Sequence, residues 1–267
     1  MSRRLWMLAP VTVLALSLNA CGTEHANDPY RAQDGVGVLA PADFGSTIAA
    51  AQAKAQSAHV QGTVTSDSGT VRMAGNFSTG KTADDLVLDL TLRVGPGQVM
   101  TMRFLDRVFY MKASQAMLTG KANRPWVKID LDDPKNPFGA ILDQMFSNLD
   151  PAHLAKFYAS VKKLNNLGID DIDGIKARHY VVSVETAKVI KLMNLDKIPG
   201  TSVAAIKAQL PKTLTSQIWI DADGRPVKTR SEVAGSTTEL VYSAWGKSVH
   251  VKAPPANQIG TLRRGGH

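Results

Sequence analysis

Six histidines, one cysteine and two short carboxylate runs are the residues through which this chain could do chemistry. The histidines stand at 25, 59, 153, 179, 250 and 267. None is paired at i, i+4, the spacing with which one helix face offers two ligands to zinc. His179 lies between Arg178 and Tyr180 in a strand-like stretch and reads as a structural or surface residue. Asp130, Asp132 and Asp133 begin like a calcium loop. The central glycine and the terminal bidentate glutamate of such a loop are missing, so a solvated acidic turn is expected. Asp221 and Asp223 stand at an Asp-Gly step and fit turn formation. No G-x-S-x-G elbow occurs, and no nucleotide-binding loop is expected. Only a pair brought together by the fold would supply a nucleophile and its base. The residues thus give catalysis weak support, and no metal motif is present in the sequence.

The cysteine is more telling. Arg3 and Arg4 precede Leu5–Leu18, a run without a charge. A basic start, a short apolar core and a small residue before the cut make an export signal. The run falls short of the ~20 residues that a spanning helix needs, and no later segment is longer. Pro10 and the polar sequence that follows argue against a buried core helix. Leu18-Asn19-Ala20-Cys21 resembles the bacterial lipobox, in which a diacylglyceryl group joins the cysteine thiol and cleavage leaves that cysteine first. Leu18, Ala20 and Cys21 match the pattern. Asn19 departs from it, since small or hydroxyl residues are commoner there. An ordinary secretory signal is the alternative. With one cysteine in the chain no internal disulfide can form, and lipidation accounts for the odd thiol. Two acyl chains hold a protein on a bilayer where a single chain holds it only marginally.

Signal removal lowers the formal net charge of +8 by two. The basic residues are dispersed, with no block of like charge. Attraction to an anionic membrane or wall surface is therefore expected, and nucleic acid is not an expected partner.

The remaining pattern sets the elements. Residues 1–20 read as a signal peptide and 21–42 as a flexible tether, with a reach of roughly 25 Å. Residues 43–254 form the folded domain and 255–267 a flexible tail. "FGSTIAAAQAKAQSAHV" is alanine-rich and reads as one helix ending near His59. A period of two follows in "TVRMAGNF", "LVLDLTLRV" and "VMTMRFLD", the last two joined by a glycine turn. "PKNPFGAILDQMFSNL" and "DPAHLAKFYASVKKLNN" carry apolar stripes at helical spacing, each opened by a cap residue and a proline. In the second, Leu154, Phe157, Tyr158, Val161 and Leu164 share a face. Strands return around Tyr180, at the Asp223-Gly224 hairpin and in "STTELVYSAWG", with two short helices near 187–195 and 202–210. The fold class is α+β, a curved antiparallel sheet with helices on its concave face.

Several stretches, in this order, give a family resemblance: the lipobox, "SAHVQG", "PWVKID", "DGIKARHYVV" and "WIDADGRPVK". The chain resembles the LppX/LprG group of actinobacterial lipoproteins within the LolA-like superfamily of envelope lipid carriers. That resemblance implies a half-barrel wrapped over helices, an apolar cavity for acyl chains, and neither enzyme activity nor cofactor. It implies a lipid or lipoglycan ligand and a protein anchored through Cys21 on the extracytoplasmic face of the cell membrane. The lining is taken from the apolar faces. The strands supply Met73, Phe77, Leu86, Leu88, Leu90, Leu92, Met100, Met102 and Phe104, then Tyr180 and Val182. The helices supply Ile141, Met145, Leu154 and Tyr158. Methionines suit such a surface because thioethers adapt to varied apolar shapes. Periodicity does not distinguish a filled core from a cavity, so an envelope sensor or interaction lipoprotein with a protein partner and no lipid cargo is the alternative.

Overall fold

The computed structural model describes residues 36–79, 83–95, 97–112, 118–119, 124–133, 142, 156–157, 159–194 and 202–262. Five strands follow one another as an antiparallel meander: β1 (Ser57–Ser66), β2 (Gly69–Ser78), β3 (Val87–Val94), β4 (Gln98–Leu105) and β5 (Val108–Lys112). After β6 (Leu118–Thr119) and β7 (Trp126–Asp130), a second meander runs through β8 (Val161–Ile172), β9 (Ile175–Glu185), β10 (Thr213–Ile220), β11 (Pro226–Val233) and β12 (Ser236–Ser243). β12 returns to pair with β1, which joins the two meanders into one sheet. The strand β13 (Ile259–Leu262) lies parallel to β7 and antiparallel to β6. The order is β6-β13-β7-β5-β4-β3-β2-β1-β12-β11-β10-β9-β8, so the sheet is open, with β6 and β8 at its edges. Helix α1 (Pro41–Ala55) precedes the sheet, and α2 (Thr186–Leu192) and α3 (Val203–Gln209) connect β9 to β10.

Two glycines let neighbouring strands approach closely, Gly62 where the meanders meet and Gly75 within the first meander. A Cβ at Gly62 would stand 2.1 Å from the Glu239 carbonyl oxygen, and one at Gly75 would stand 2.0 Å from that of Asp89. Any side chain at either position collides with the neighbouring strand's backbone.

Several boundaries differ from the sequence reading. α1 stops at Ala55, where Gln56 turns left-handed at φ 61° and its N–H closes the last turn on Gln52 O. Ser57–Val60 then begin β1 rather than ending the helix. Neither glycine nor proline marks that boundary, so helix propensity runs on past it. The helix expected to reach Leu164 is replaced from Val161 by β8, paired to β9 from Val161–Val184 to Ile172–Ile175. Among the described residues only 156, 157 and 159 are helical there. Pairing with the β-branched row of β9 overrides the local preference of "KKLNN". Most of the helix expected at 137–149 lies outside the described residues.

Both ends of the domain also extend further than expected. Val36 and Leu39, placed in the tether, are 2% and 3% exposed and belong to the core. Residues 256–262, placed in the tail, form a 3-10 turn and β13. Their short lengths carry no period, and their pairing comes from the far side of the sequence.

Candidate functional site

Register turns sequence spacing into rows on one face, because side chains alternate across each strand. One row crosses seven strands: Tyr242, Val60, Gly75, Leu90, Met102, Met111 and Val127. Beside it run Ala58, Phe77, Leu88, Phe104, Phe109 and Ile129. A third row continues across both meanders: Tyr180, Ile218, Thr229, Leu240, Gly62, Met73, Leu92 and Met100. This inner face is apolar at its two wings. Between them β10–β12 place Ser216, Thr229, Ser231 and Thr238 on it, a seam of small hydroxyls.

α1 lies over the inner face. Phe44 and Ile48 pack with Tyr180, Val182, Ile218 and Ile220, and the Phe44 ring meets Tyr180 edge-on at 5.6 Å. The segment before the helix is tied to β9 by two buried side chains. Arg178 donates from Nε and Nη2 to Val36 O at 3.2 and 2.6 Å, and Tyr180 Oη accepts from Leu39 N–H at 2.7 Å. Burial pushes the Tyr180 hydroxyl above its ordinary value, while the Leu39 N–H acts in the opposite direction.

The outer face is polar and cross-braced. His59 meets Asn76, and Asp89 pairs with Arg103, whose guanidinium also lies 4.9 Å from the Trp126 ring centre. His179 stacks on Trp219 at 4.0 Å, its Nδ1 is 3.1 Å from Asp170 Oδ2, and its Nε2 is 3.0 Å from Gln217 Oε1. Trp219 Nε1 donates to the same Asp170 oxygen at 2.7 Å. Both ring nitrogens of His179 are thus engaged, which fits a bracing role. Asp221 accepts from the N–H of Asp223 and of Arg225 and from Arg225 Nε, as a turn residue does. Asp130 accepts from Asp132 N–H, and its hydrogen bond from Lys128 holds its carboxyl below the usual carboxylate value. Asp132 pairs with Arg107 at 2.9 Å. These carboxylates serve turns and ion pairs. Among the described residues, no group of three or more His, Cys, Asp or Glu side chains is arranged to hold a metal. No helix among them is long and apolar enough to cross a membrane.

One spacing match escapes the sequence reading. Gly75–Thr82, "GNFSTGKT", has the spacing G-x-x-x-x-G-K-T of a phosphate-binding loop. Its first four residues lie inside β2, paired on both sides with β1 and β3, and a single 3-10 turn at Ala83–Asp85 leads into β3. A phosphate loop needs free backbone N–H groups and a following helix. The match is one of spacing alone.

The residues proposed from sequence as a lining fall into two groups. Met73, Phe77, Leu86, Leu88, Leu90 and Phe104 are buried in one cluster, with Leu92 and Met102 packed against it. Tyr180 and Val182 belong to a second cluster with α1. Met100 ends the third row, half-buried. Ile141, Met145, Leu154 and Tyr158 lie outside the described residues, as does Cys21. The sequence reading passed over Val36, Leu39, Phe44, Ile48 and Gln52, all within 3% of full burial. The i, i+4, i+8 spacing of Phe44, Ile48 and Gln52 was the available signal. It also passed over Phe109 and Met111, and Val127 and Ile129, whose alternation in "VFYMK" and "WVKID" marks two strands.

No protein-family model matches the chain. An uncharacterised 31.2 kDa protein from the rplA–rplJ intergenic region of Streptomyces griseus is 28% identical over 175 residues, 61% of this chain and 56% of that protein. The chain thus spans little more than half the length of that relative. Among solved structures, the Mycobacterium tuberculosis lipoprotein LppX aligns with a TM-score of 0.54 at 16% identity, covering 79% of this chain and 98% of LppX. LprF of Mycobacterium bovis aligns at 0.46 and 15% identity, covering 80% and 96%. The fold of this chain is that of LppX, here an open and largely antiparallel sheet with α1 against its inner face.

Proposed function

We propose that this protein is an extracytoplasmic lipoprotein, anchored through Cys21, that takes lipid acyl chains between its sheet and helices and carries or chaperones them in the cell envelope. The supporting observation is the inner face with its two apolar wings, one built by three rows of side chains on β1–β4 and the other by β9 and β10 with α1, on a sheet with the fold of LppX. An acyl chain that passes from a bilayer to such a face exchanges one apolar surrounding for another and avoids water. The protein acts by binding, without chemistry on the lipid. The signal over residues 1–20 and the membrane location belong to this proposal, and the tether then runs from Cys21 to about residue 35.

Solvent extraction of the protein purified from bacterial membranes, followed by lipid analysis, tests it. A stoichiometric acyl lipid that Leu90→Trp or Met102→Trp depletes, with the fold retained, is the expected result. Lipid-free protein that takes up none from vesicles overturns it and favours an envelope interaction lipoprotein. Cys21→Ala is expected to release the protein from the membrane fraction. Retention there contradicts the anchor.

A further inference from the structure

Gln52 is a side chain of the inner face whose carboxamide has no local use among the described residues. It follows Phe44 and Ile48 at i+8 and i+4 on the inward stripe of α1, and it is 1% exposed. Neither Nε2 nor Oε1 of its carboxamide has a hydrogen-bond partner among the described residues. A buried amide left unpaired costs free energy that a leucine of similar size would not.

Its position follows from the path of the helix. Phe44 meets Tyr180 on β9, the flank of α1 at Thr47 and Ala51 comes within 3.3 Å of a Cβ at Gly224 between β10 and β11, and Ala55 approaches Gly246 after β12. α1 therefore crosses the strands in the order β9 to β12. Eight residues of helix advance ~12 Å, and strands lie ~4.8 Å apart, which sets Gln52 two to three strands beyond β9. That is above β11 and β12, on the side of their Gly224 and Gly246 ends. The unpaired amide thus lies over the two strands that separate the apolar wings and that carry, further along, the buried Thr229 and Thr238.

We infer that Gln52 is a polar anchor for the ligand, and that the ligand is an acyl lipid carrying both a carbonyl and a hydroxyl at the end that sits between the wings. A carboxamide donates through Nε2 to a carbonyl oxygen and accepts through Oε1 from a hydroxyl, so such a group satisfies both atoms at once. A plain hydrocarbon satisfies neither. This inference rests on the lipid-binding function proposed above and goes further by naming the chemistry of the cargo.

The test uses the full chain, purified in a dialysable detergent and freed of it, with displacement of the apolar fluorophore N-phenyl-1-naphthylamine as the readout. Monopalmitoylglycerol and hexadecane share a chain length and differ in the oxygens. The wild type is expected to prefer monopalmitoylglycerol by ~10-fold, the effect of one or two net hydrogen bonds. Gln52→Leu is expected to remove that preference, leave hexadecane binding unchanged and raise the melting temperature of the lipid-free protein. Gln52→Met, a second apolar replacement of similar size, is expected to behave alike. A preference that survives both substitutions, or a lipid-free protein that either one destabilises, overturns the anchor and leaves lipid binding standing. Failure of both probes to displace the fluorophore from the wild type overturns lipid binding itself.

Discussion

The two wings of the inner face bury similar side chains by different routes. The wing on β1–β5 and β7 is assembled almost wholly from strands, row by row, with Phe104 and Leu88 locked between hairpin neighbours. The wing on β9 and β10 is completed by α1 and by Val36 and Leu39, reached across sequence separations of 142 and 141 residues. Three buried side chains with polar groups, Arg178, Tyr180 and Gln52, sit in or beside the second. Sheet-borne packing gives a rigid floor. A clasp made by a helix and a short strap holds through a few directional bonds, and such a part can open without the sheet unfolding.

Substitutions should separate the wings in order of effect. Phe104→Ala, at a site 1% exposed, is expected to cost ~3–5 kcal/mol of global stability. Urea unfolding with an unchanged slope is the check. Arg178→Met removes both donors from the buried Val36 carbonyl and is expected to cost ~1–3 kcal/mol. Its signature is faster hydrogen exchange confined to the strap and α1. Loss of protection in β2–β4 as well would mean that the two wings are one cooperative unit.

A smaller effect is expected from Tyr180→Phe, which deletes the oxygen that accepts from Leu39 N–H, at ~1 kcal/mol. The same residue adds a pH dependence. Its folded-state value is raised above 10.0, so the folded protein keeps the proton that the unfolded chain releases. Stability from this group is full below about pH 10 and is lost as the pH rises towards the folded value. The alkaline loss should be shallower in Tyr180→Phe. Last, Lys162→Met breaks an exposed pair with Glu185 and is expected to change stability by no more than ~0.5 kcal/mol.

The same contrast explains what the sequence disclosed. Leu88, Leu90, Leu92, Met100, Met102 and Phe104 alternate within two adjoining strands, and alternation is local, so this wing was legible. The antiparallel sheet and the return of strands around Tyr180 were legible for the same reason. Arg178 and Tyr180 looked like ordinary strand residues because their partners, Val36 and Leu39, lie in a stretch too short to show a period. β8 was hidden by a different cause. "KKLNN" is compatible with a helix, and only β9 beside it decides otherwise. Gln52 looked like the polar filler of an alanine-rich helix, since burial of a glutamine comes from the path of α1 across the sheet and not from its neighbours in sequence.

Photolabelling tests the central claim, that acyl chains lie against the inner face, most directly. A palmitate carrying a diazirine near its methyl end is bound to the protein, irradiated, and its adducts are mapped by peptide sequencing. Adducts on inner-row residues of β2–β4, such as Leu90 and Met102, and on α1 are the expected result. Adducts confined to outer-face residues such as Arg103, Trp126 and His179, or none above background, would contradict it.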